Sequence, residues 1–322
     1  MARVRLMGFI LSMTALSFAS IPGLGAQTFP TDDPVIQQMW TMGMVESQTE
    51  ELSQVLLDFI GPRLAGSPAL DQAADWAVQT FQEWGVPARK EQYGTWDGWR
   101  FGITHVDLIA PRVQTLEANI LAWSPGTDGP MDADVVAVPD LSSEQEAREW
   151  LPSVSGKIVL VSPPEPMCRA PQELEANATP ETVESLARLR EELRTTYGLR
   201  LAHLGGRGAV QELVDAGAVG IISSNWSGGW GVNKIFSAPT RDVPSVDLSC
   251  EDYGMLFRMV RNGQAPRVRM ELEAESLGEV PQFNVIAELR GVELPDEYVL
   301  LGAHLDSWHS ATGATDNGTG SV

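Results

Sequence analysis

The stretch EYVLLGAHLDSW, residues 297–308, carries the strongest fold signal in the chain. Its first part, Tyr298–Ala303, is almost entirely apolar, as is typical of a strand covered on both faces of a parallel sheet. His304 follows this run directly. Ligands of open α/β sheets bind beyond the carboxyl ends of strands. The stretch therefore predicts an α/β fold with a mostly parallel sheet, and it puts His304 where chemistry is expected.

Three side chains near this point have the spacing of a metal site. His304 and Asp306 are two residues apart, so in continued strand geometry they point to the same side of the chain. The Asp306 carboxylate can then accept a hydrogen bond from one ring nitrogen and make the other a better metal ligand. A short loop rich in Gly and Thr returns Asp316 toward the same place. Histidine nitrogen with carboxylate oxygen is a zinc-type ligand set.

A structural alternative fits the same residues. His304 could simply end a strand, and Asp316–Gly318 could be a turn, which Asn-Gly favours. Taken alone, the spacing leaves both interpretations open. His309 is interpreted as a loop residue whose direction the sequence does not fix.

The composition is that of a globular protein with an acidic surface. The 322 residues are 43% hydrophobic, enough for one large domain or two ordinary ones. The formal net charge is -21 and no basic tract is present, so nucleic acid and anionic membrane surfaces are poor partners. Cys168 and Cys250 are too few for a cysteine zinc site, but they could form one disulfide in an oxidising compartment.

The amino terminus has the layout of a secretory signal peptide. Arg3 and Arg5 precede an apolar run, Leu6–Ala19, which is followed by small residues and Pro. We expect a signal peptide at 1–26 and a secreted, extracellular or periplasmic protein that does not associate with membranes after cleavage. An amino-terminal membrane anchor is the alternative, but the run is short for one.

Two further patterns organise the chain before the apolar run. Ala69–Trp84 has helical periodicity with Gly85 in the stop position, and its aromatic residues Trp76, Phe81 and Trp84 are expected in the core. From about Asp132 the pattern changes to short β-rich runs with helices between them, which predicts a compact inserted module.

GAHLDSW followed by GATDNG resembles the signature of the co-catalytic di-zinc exopeptidases, the secreted aminopeptidase and plasma glutamate carboxypeptidase (carboxypeptidase Q) group. IGPRLAGSP and the following DQAADWAVQTFQEWGV are similar to that family's amino-terminal segment. The inserted module resembles a protease-associated domain. The resemblance covers nearly the whole chain after the predicted signal peptide.

The resemblance implies a zinc-peptidase fold and a division of the chain into four parts. These are the signal peptide, 1–26; the amino-terminal part of the peptidase domain, 27–127; the inserted protease-associated domain, 128–278; and the resumed peptidase domain, 279–322.

The resemblance also implies a role for each site residue. His304 would ligate one zinc ion, Asp316 would bridge the two ions of the complete enzyme, and Asp306 would orient His304. The peptide bond between Asp316 and Asn317 would be cis, with Asn317 where many relatives have a second Asp.

The general base of this family, a Glu beside a ligand Glu, and the remaining Asp and His ligands follow the DNG segment. All of these would lie beyond Val322. We therefore expect this chain to be an amino-terminal fragment that is poorly stable and inactive alone.

The expected function is that of a secreted zinc-dependent exopeptidase. Such an aminopeptidase, carboxypeptidase or dipeptidase hydrolyses peptide substrates by a metal-bridged hydroxide. A homodimer of the full-length protein is left open. The alternative is a non-catalytic binding protein on the same fold that uses its protease-associated module.

Overall fold

The computed structural model describes residues 31–225 and 236–322. By its contacts the chain divides into two units, 1–48 and 49–322. The predicted signal peptide, 1–26, lies outside the described residues. No helix within the described ranges is long and apolar enough to cross a membrane.

The described strands form one mixed sheet. The strands are β1 Ala88–Ala110, β2 Gln114–Thr115, β3 Ala118–Ile120, β4 Met131–Ala137, β5 Ile158–Leu160, β6 Gly220–Ser223, β7 Ser245–Leu248 and β8 Arg267–Ala287. Their order across the sheet is β2-β1-β8-β4-β5-β6-β7-β3. The pairs β4–β5, β5–β6 and β6–β7 are parallel, and the others are antiparallel.

Helices connect the strands and flank the site. In the described residues they are α1 Pro34–Met44, α2 Thr49–Ser53, α3 Pro68–Glu83, α4 Glu144–Trp150, α5 Pro171–Asn177, α6 Pro180–His203, α7 Ala209–Asp215, α8 Cys250–Arg261 and α9 Thr319–Ser321. Two π-helical segments, Gln54–Ile60 and Ala314–Gly318, and two 3₁₀ turns, Leu151–Val154 and Gly206–Gly208, complete the helical structure.

The parallel strands β5, β6 and β7 are buried along their whole length, whereas β4 has exposed residues at Asp132 and Asp134. In β5, Ile158 and Leu160 pack into the cluster that contains Tyr253 of α8, whereas Val159 packs into the opposite cluster with Leu213 of α7. Burial of each such aliphatic side chain contributes about 1.5 to 3 kcal/mol. The α/β fold class with parallel pairing is therefore confirmed. The parallel strands, however, all lie within the segment 128–278.

A long antiparallel pair of strands, β1 and β8, brings together parts of the chain that are distant in sequence. β1 and β8 pair antiparallel from Ala88 opposite Ala287 to Ala110 opposite Arg267. Trp99 in β1 is 2% exposed, and its indole Nε1 donates to the Ser124 carbonyl oxygen at 2.9 Å. β8 pairs with β1 and with β4, so this strand pair connects the segment 128–278 with the residues that lead to His304.

Helix α3 forms where its periodicity predicts. The Ser67 hydroxyl accepts a hydrogen bond from the Leu70 amide at the start, and Gly85 has φ of 77° just past the end. The expectation that Trp84 lies in the core is wrong, since it is 52% exposed. Trp84 follows the last helical residue and packs edge-on against Phe81, not against the sheet. Trp76 and Phe81 are half-buried.

The predicted strand at Tyr298–Ala303 is not formed. Tyr298, Val299, Leu300 and Leu301 are between 84% and 91% exposed. A strand covered on both faces requires hydrogen-bonding neighbours and packing partners. β8, which precedes this run, already pairs with β1 and β4, and no described residue pairs with the run itself. The position of His304 is therefore set by other contacts.

Cys168 and Cys250 form a disulfide, with Cα atoms 5.6 Å apart. The sequence had left this pairing open. The bond ties the first residue of α8 to the loop after β5 and closes 82 residues of chain separation. The structure thus has the bond that an oxidising compartment permits.

Candidate metal centre

His304 lies between two carboxylates. Its Nδ1 is 3.1 Å from Asp306 Oδ1, and its Nε2 is 2.8 Å from Asp316 Oδ1. The side chains of His304 and Asp306 are about half exposed, and that of Asp316 is largely exposed. The structure therefore brings together the three residues that the sequence selected, and it directs both ring nitrogens toward carboxylate oxygen.

The two carboxylates favour the protonated imidazole. Partial burial lowers the pKa of His304, but the hydrogen bonds and negative charges of Asp306 and Asp316 outweigh it, so the pKa is raised. Both contacts are satisfied as hydrogen bonds when each ring nitrogen carries a proton. Metal ligation needs a neutral imidazole, so His304 would have to lose the proton on Nε2 before that nitrogen could bind a metal ion.

The segment from Gly313 to Ser321 folds back over His304. The Gly318 amide donates to the Gly313 carbonyl oxygen at 2.7 Å. The Ser321 hydroxyl lies within hydrogen-bond distance of the carbonyl oxygens of His304 (2.9 Å) and Asn317 (3.1 Å). The peptide bond between Asp316 and Asn317 is cis, as the resemblance implies. These contacts return Asp316 to His304 although twelve residues separate them.

Sequence reasoning missed two buried residues beside the site. Arg63, within the quoted IGPRLAGSP, has no exposed surface, and Ser307 is 6% exposed. The Arg63 amide donates to Ser307 Oγ at 2.9 Å, and the Ser307 amide donates to the Arg63 carbonyl oxygen at 2.9 Å. An arginine between Pro62 and Leu64 gave no signal of burial, because Arg is almost never fully buried unless it has partners.

His309 anchors the same loop on its other side. It is 1% exposed, and its Nε2 donates to the Ile120 carbonyl oxygen at 2.6 Å. The rings of Trp99 and Phe101 meet the imidazole edge-on, each with centroids 5.5 Å away. Burial lowers the pKa of His309, and the bond to Ile120 offsets this only in part. His309 is thus a packed loop residue held by β1 and β3.

The donor set partly fits a zinc ion. A histidine nitrogen and a carboxylate oxygen are suitable zinc ligands. Asp306 contacts the other ring nitrogen, Nδ1, and so can orient the ring. Within residues 31–225 and 236–322, however, no group of three or more His, Cys, Asp or Glu side chains is arranged to hold a metal ion. His105 and His203 take no part in the centre. The described residues therefore bring together two side chains that could ligate zinc, fewer than the three or four protein ligands that zinc sites usually have.

Gly313→Ala is expected to destabilise the loop that returns Asp316. Gly313 has φ of 68°, and an added Cβ would lie 2.5 Å from Ser307 Cβ and 2.9 Å from the Asp316 carbonyl oxygen. Gly263→Ala is the matched control, since Gly263 also has φ of 68° but has open space around it. Because overpacking typically costs about 1 to 3 kcal/mol, we expect Gly313→Ala to lose that much more stability than the control in urea denaturation. Equal losses would show that the contact with Ser307 is unimportant.

The carboxyl-terminal residues match a known family. Residues 284–322 match the model of Peptidase family M28. Over 279 residues the chain is 26% identical to Carboxypeptidase Q of Mus musculus. This aligned region is 86% of this chain and 53% of that protein. The chain thus spans about half the length of the curated relatives it matches.

Two solved structures resemble the chain. The Peptidase M28 precursor from Shewanella amazonensis SB2B has a TM-score of 0.55 and 28% identity, with 88% of this chain and 60% of that chain covered. A zinc aminopeptidase from Bacillus subtilis has a TM-score of 0.51 at 16% identity, with 85% and 54% covered, a likeness that shows the fold alone. Both agree with the α/β architecture described above.

Proposed function

This chain is related to the co-catalytic zinc exopeptidases of Peptidase family M28, and from that relationship we propose that it serves as part of a secreted zinc-dependent exopeptidase. The observation that carries the proposal is the position of His304 between Asp306 and Asp316. His304 Nε2 and the Asp316 carboxylate would hold zinc, and the complete centre would contain two ions. Asp306 would orient the ring.

The chemistry divides between the metal and these side chains. Zinc, when bound, supplies Lewis acidity toward the scissile carbonyl and makes water a stronger nucleophile. Asp306 accepts a hydrogen bond from Nδ1–H of His304, which keeps the proton on Nδ1 and would leave Nε2 free to ligate. Asp316 provides anionic oxygen that balances the charge of the metal. The substrate would be a peptide trimmed at one end, because the relatives' names include both aminopeptidase and carboxypeptidase.

Secretion is supported by two features. The first 26 residues have the composition of a signal peptide, and Cys168 and Cys250 are bonded. Disulfides persist in oxidising compartments. We therefore propose an extracellular or periplasmic location.

The test is zinc-dependent hydrolysis by the whole protein. It should hydrolyse unblocked peptides, lose that activity with a chelator and regain it with zinc. Paired substrates, one blocked at the amino end and one at the carboxyl end, identify the end that is trimmed. The 322-residue chain alone should bind zinc without hydrolysing either substrate. A whole protein that stays inactive with zinc present would contradict the proposal.

One observation favours a non-catalytic alternative. Among the described residues only His304 and Asp316 are positioned as ligands, and no third candidate stands with them. A binding protein on the same fold would need no complete centre. It would retain peptide or protein binding after treatment with a chelator, whereas the enzyme would lose turnover.

A further inference from the structure

Arg63 forms a buried junction beneath the metal centre. Its Nε donates to the Leu305 carbonyl oxygen at 2.8 Å. Its Nη1 lies within hydrogen-bond distance of three further carbonyl oxygens, those of Leu56 (3.1 Å), Gly61 (2.6 Å) and Thr312 (2.9 Å). The guanidinium therefore contacts the backbone of its own turn and also the backbone of residues about 240 to 250 positions further along the chain.

Two of these carbonyls belong to segments that carry the site residues. Leu305 lies between His304 and Asp306, and Thr312 directly precedes Gly313, where the chain turns toward Asp316. The backbone of Arg63 adds the paired hydrogen bonds with Ser307. The residue therefore restrains the chain on both sides of the loop that separates the two proposed ligands.

The charge of Arg63 is buried without a salt bridge. The described carboxylates make no contact with its guanidinium within ion-pair distance, and Asp306 acts on it only as a nearby negative charge. Burial lowers the pKa of Arg63, and Asp306 offsets part of that effect. Its Nη2 has no hydrogen-bond partner in the described residues. A buried charge held by carbonyl oxygens alone is costly, so its role should be specific.

We propose that Arg63 is a positioning residue of the metal centre. It fixes residues 305–312 so that His304 Nε2 and the Asp316 carboxylate face each other. The planar fork of the guanidinium is required because its donors reach separate carbonyl oxygens in fixed directions, which an ammonium group cannot match. The role of the centre in binding zinc rests on the proposed function. The effect of Arg63 on the orientation of His304 does not.

The test compares Arg63→Lys with Tyr253→Phe. Lysine keeps the positive charge and removes the fork. Tyr253→Phe is the control because it removes a buried hydroxyl that donates to the Ser162 carbonyl oxygen at 2.6 Å, away from the centre. The readouts are zinc affinity and the ring ¹⁵N chemical shifts of His304 in the 322-residue chain. The sequence contains four histidines, so His105 and His203 serve as internal references.

We expect Arg63→Lys to weaken zinc binding by about 10- to 100-fold, as is usual when the support of a metal ligand is lost. The ring shifts of His304 should move toward those of a free imidazole, while His105 and His203 stay unchanged. Tyr253→Phe should lower thermal stability and leave both readouts as in the original chain. Zinc affinity within twofold and unchanged His304 shifts in Arg63→Lys would overturn the inference.

The inference stays testable if Arg63→Lys fails to fold or if the original chain binds no zinc. If Arg63→Lys does not fold, Ser307→Ala removes the hydroxyl that accepts from the Arg63 amide and that also lies within hydrogen-bond distance of the Trp308 and Ala311 carbonyl oxygens. It should shift the His304 signals in the same direction by less, and unchanged signals would overturn the inference. If the original chain binds no zinc, the proposed function fails, and the His304 shifts alone decide the role of Arg63.

Discussion

Asp316→Asn should reduce the zinc affinity of the chain by more than about 100-fold, beyond the range seen when only the support of a ligand is lost. The change preserves the shape of the side chain but removes the anionic oxygen that faces His304 Nε2 at 2.8 Å. With only one ligand left among the described residues, little binding should remain. Titration with zinc against a chromophoric chelator measures the loss.

The chain contains a matched control for this experiment. His105 and Asp107 in β1 have the same two-residue spacing as His304 and Asp306, and His105 Nε2 is 3.1 Å from Asp107 Oδ2. Asp107→Asn breaks a His–Asp pair of similar geometry away from the centre. It should leave zinc affinity unchanged. Equal losses in Asp107→Asn and Asp316→Asn would mean that zinc binds elsewhere or nonspecifically.

Replacing both Cys168 and Cys250 by Ser should lower the free energy of unfolding by about 4 kcal/mol. Closure of a loop of this length restricts the unfolded chain by roughly that amount in the chain-entropy model. The bond also joins α8, whose Tyr253 and Leu256 pack against the parallel strands, to the loop after β5. Denaturant unfolding measures the change.

The reduced original chain is the control for the disulfide. Under reducing conditions it should unfold at the same denaturant concentration as the double Ser variant, because both lack the same cross-link. A loss below about 1 kcal/mol would contradict this prediction, and two free thiols in the unreduced original chain would show that the pairing is not formed in solution. Such a result would also remove one support for secretion.

The centre depends on contacts between distant parts of the chain. Arg63 and Ser307 join the turn before α3 to the loop after His304, and His309 joins that loop to Ile120 in β3. The loop is thus held from two sides, one of them by β3, which pairs with β7 of the segment 128–278. Substitutions in that segment that displace Ile120 should therefore affect the centre as well as the sheet.

Local patterns in the sequence determined much of this protein. The alternation of β5 side chains between the two faces of the sheet and the cap at Ser67 follow from residue types and spacing, because these features depend on near neighbours. The pairing of His304 with Asp306 also follows from a two-residue spacing. The α/β class and the three site residues could be selected on that basis.

Only the tertiary structure decided the features that depend on distant partners. Tyr298–Ala303 has the composition of a buried strand but stays exposed, because composition cannot supply the neighbours that a strand requires. Burial of Arg63 and His309 depends on carbonyl oxygens about 190 to 250 residues away, which leave no local pattern. The pairing of Cys168 with Cys250 likewise depends on how α8 meets the loop after β5. Spacing along the chain fixes which side chains can meet locally, whereas packing fixes what holds them there.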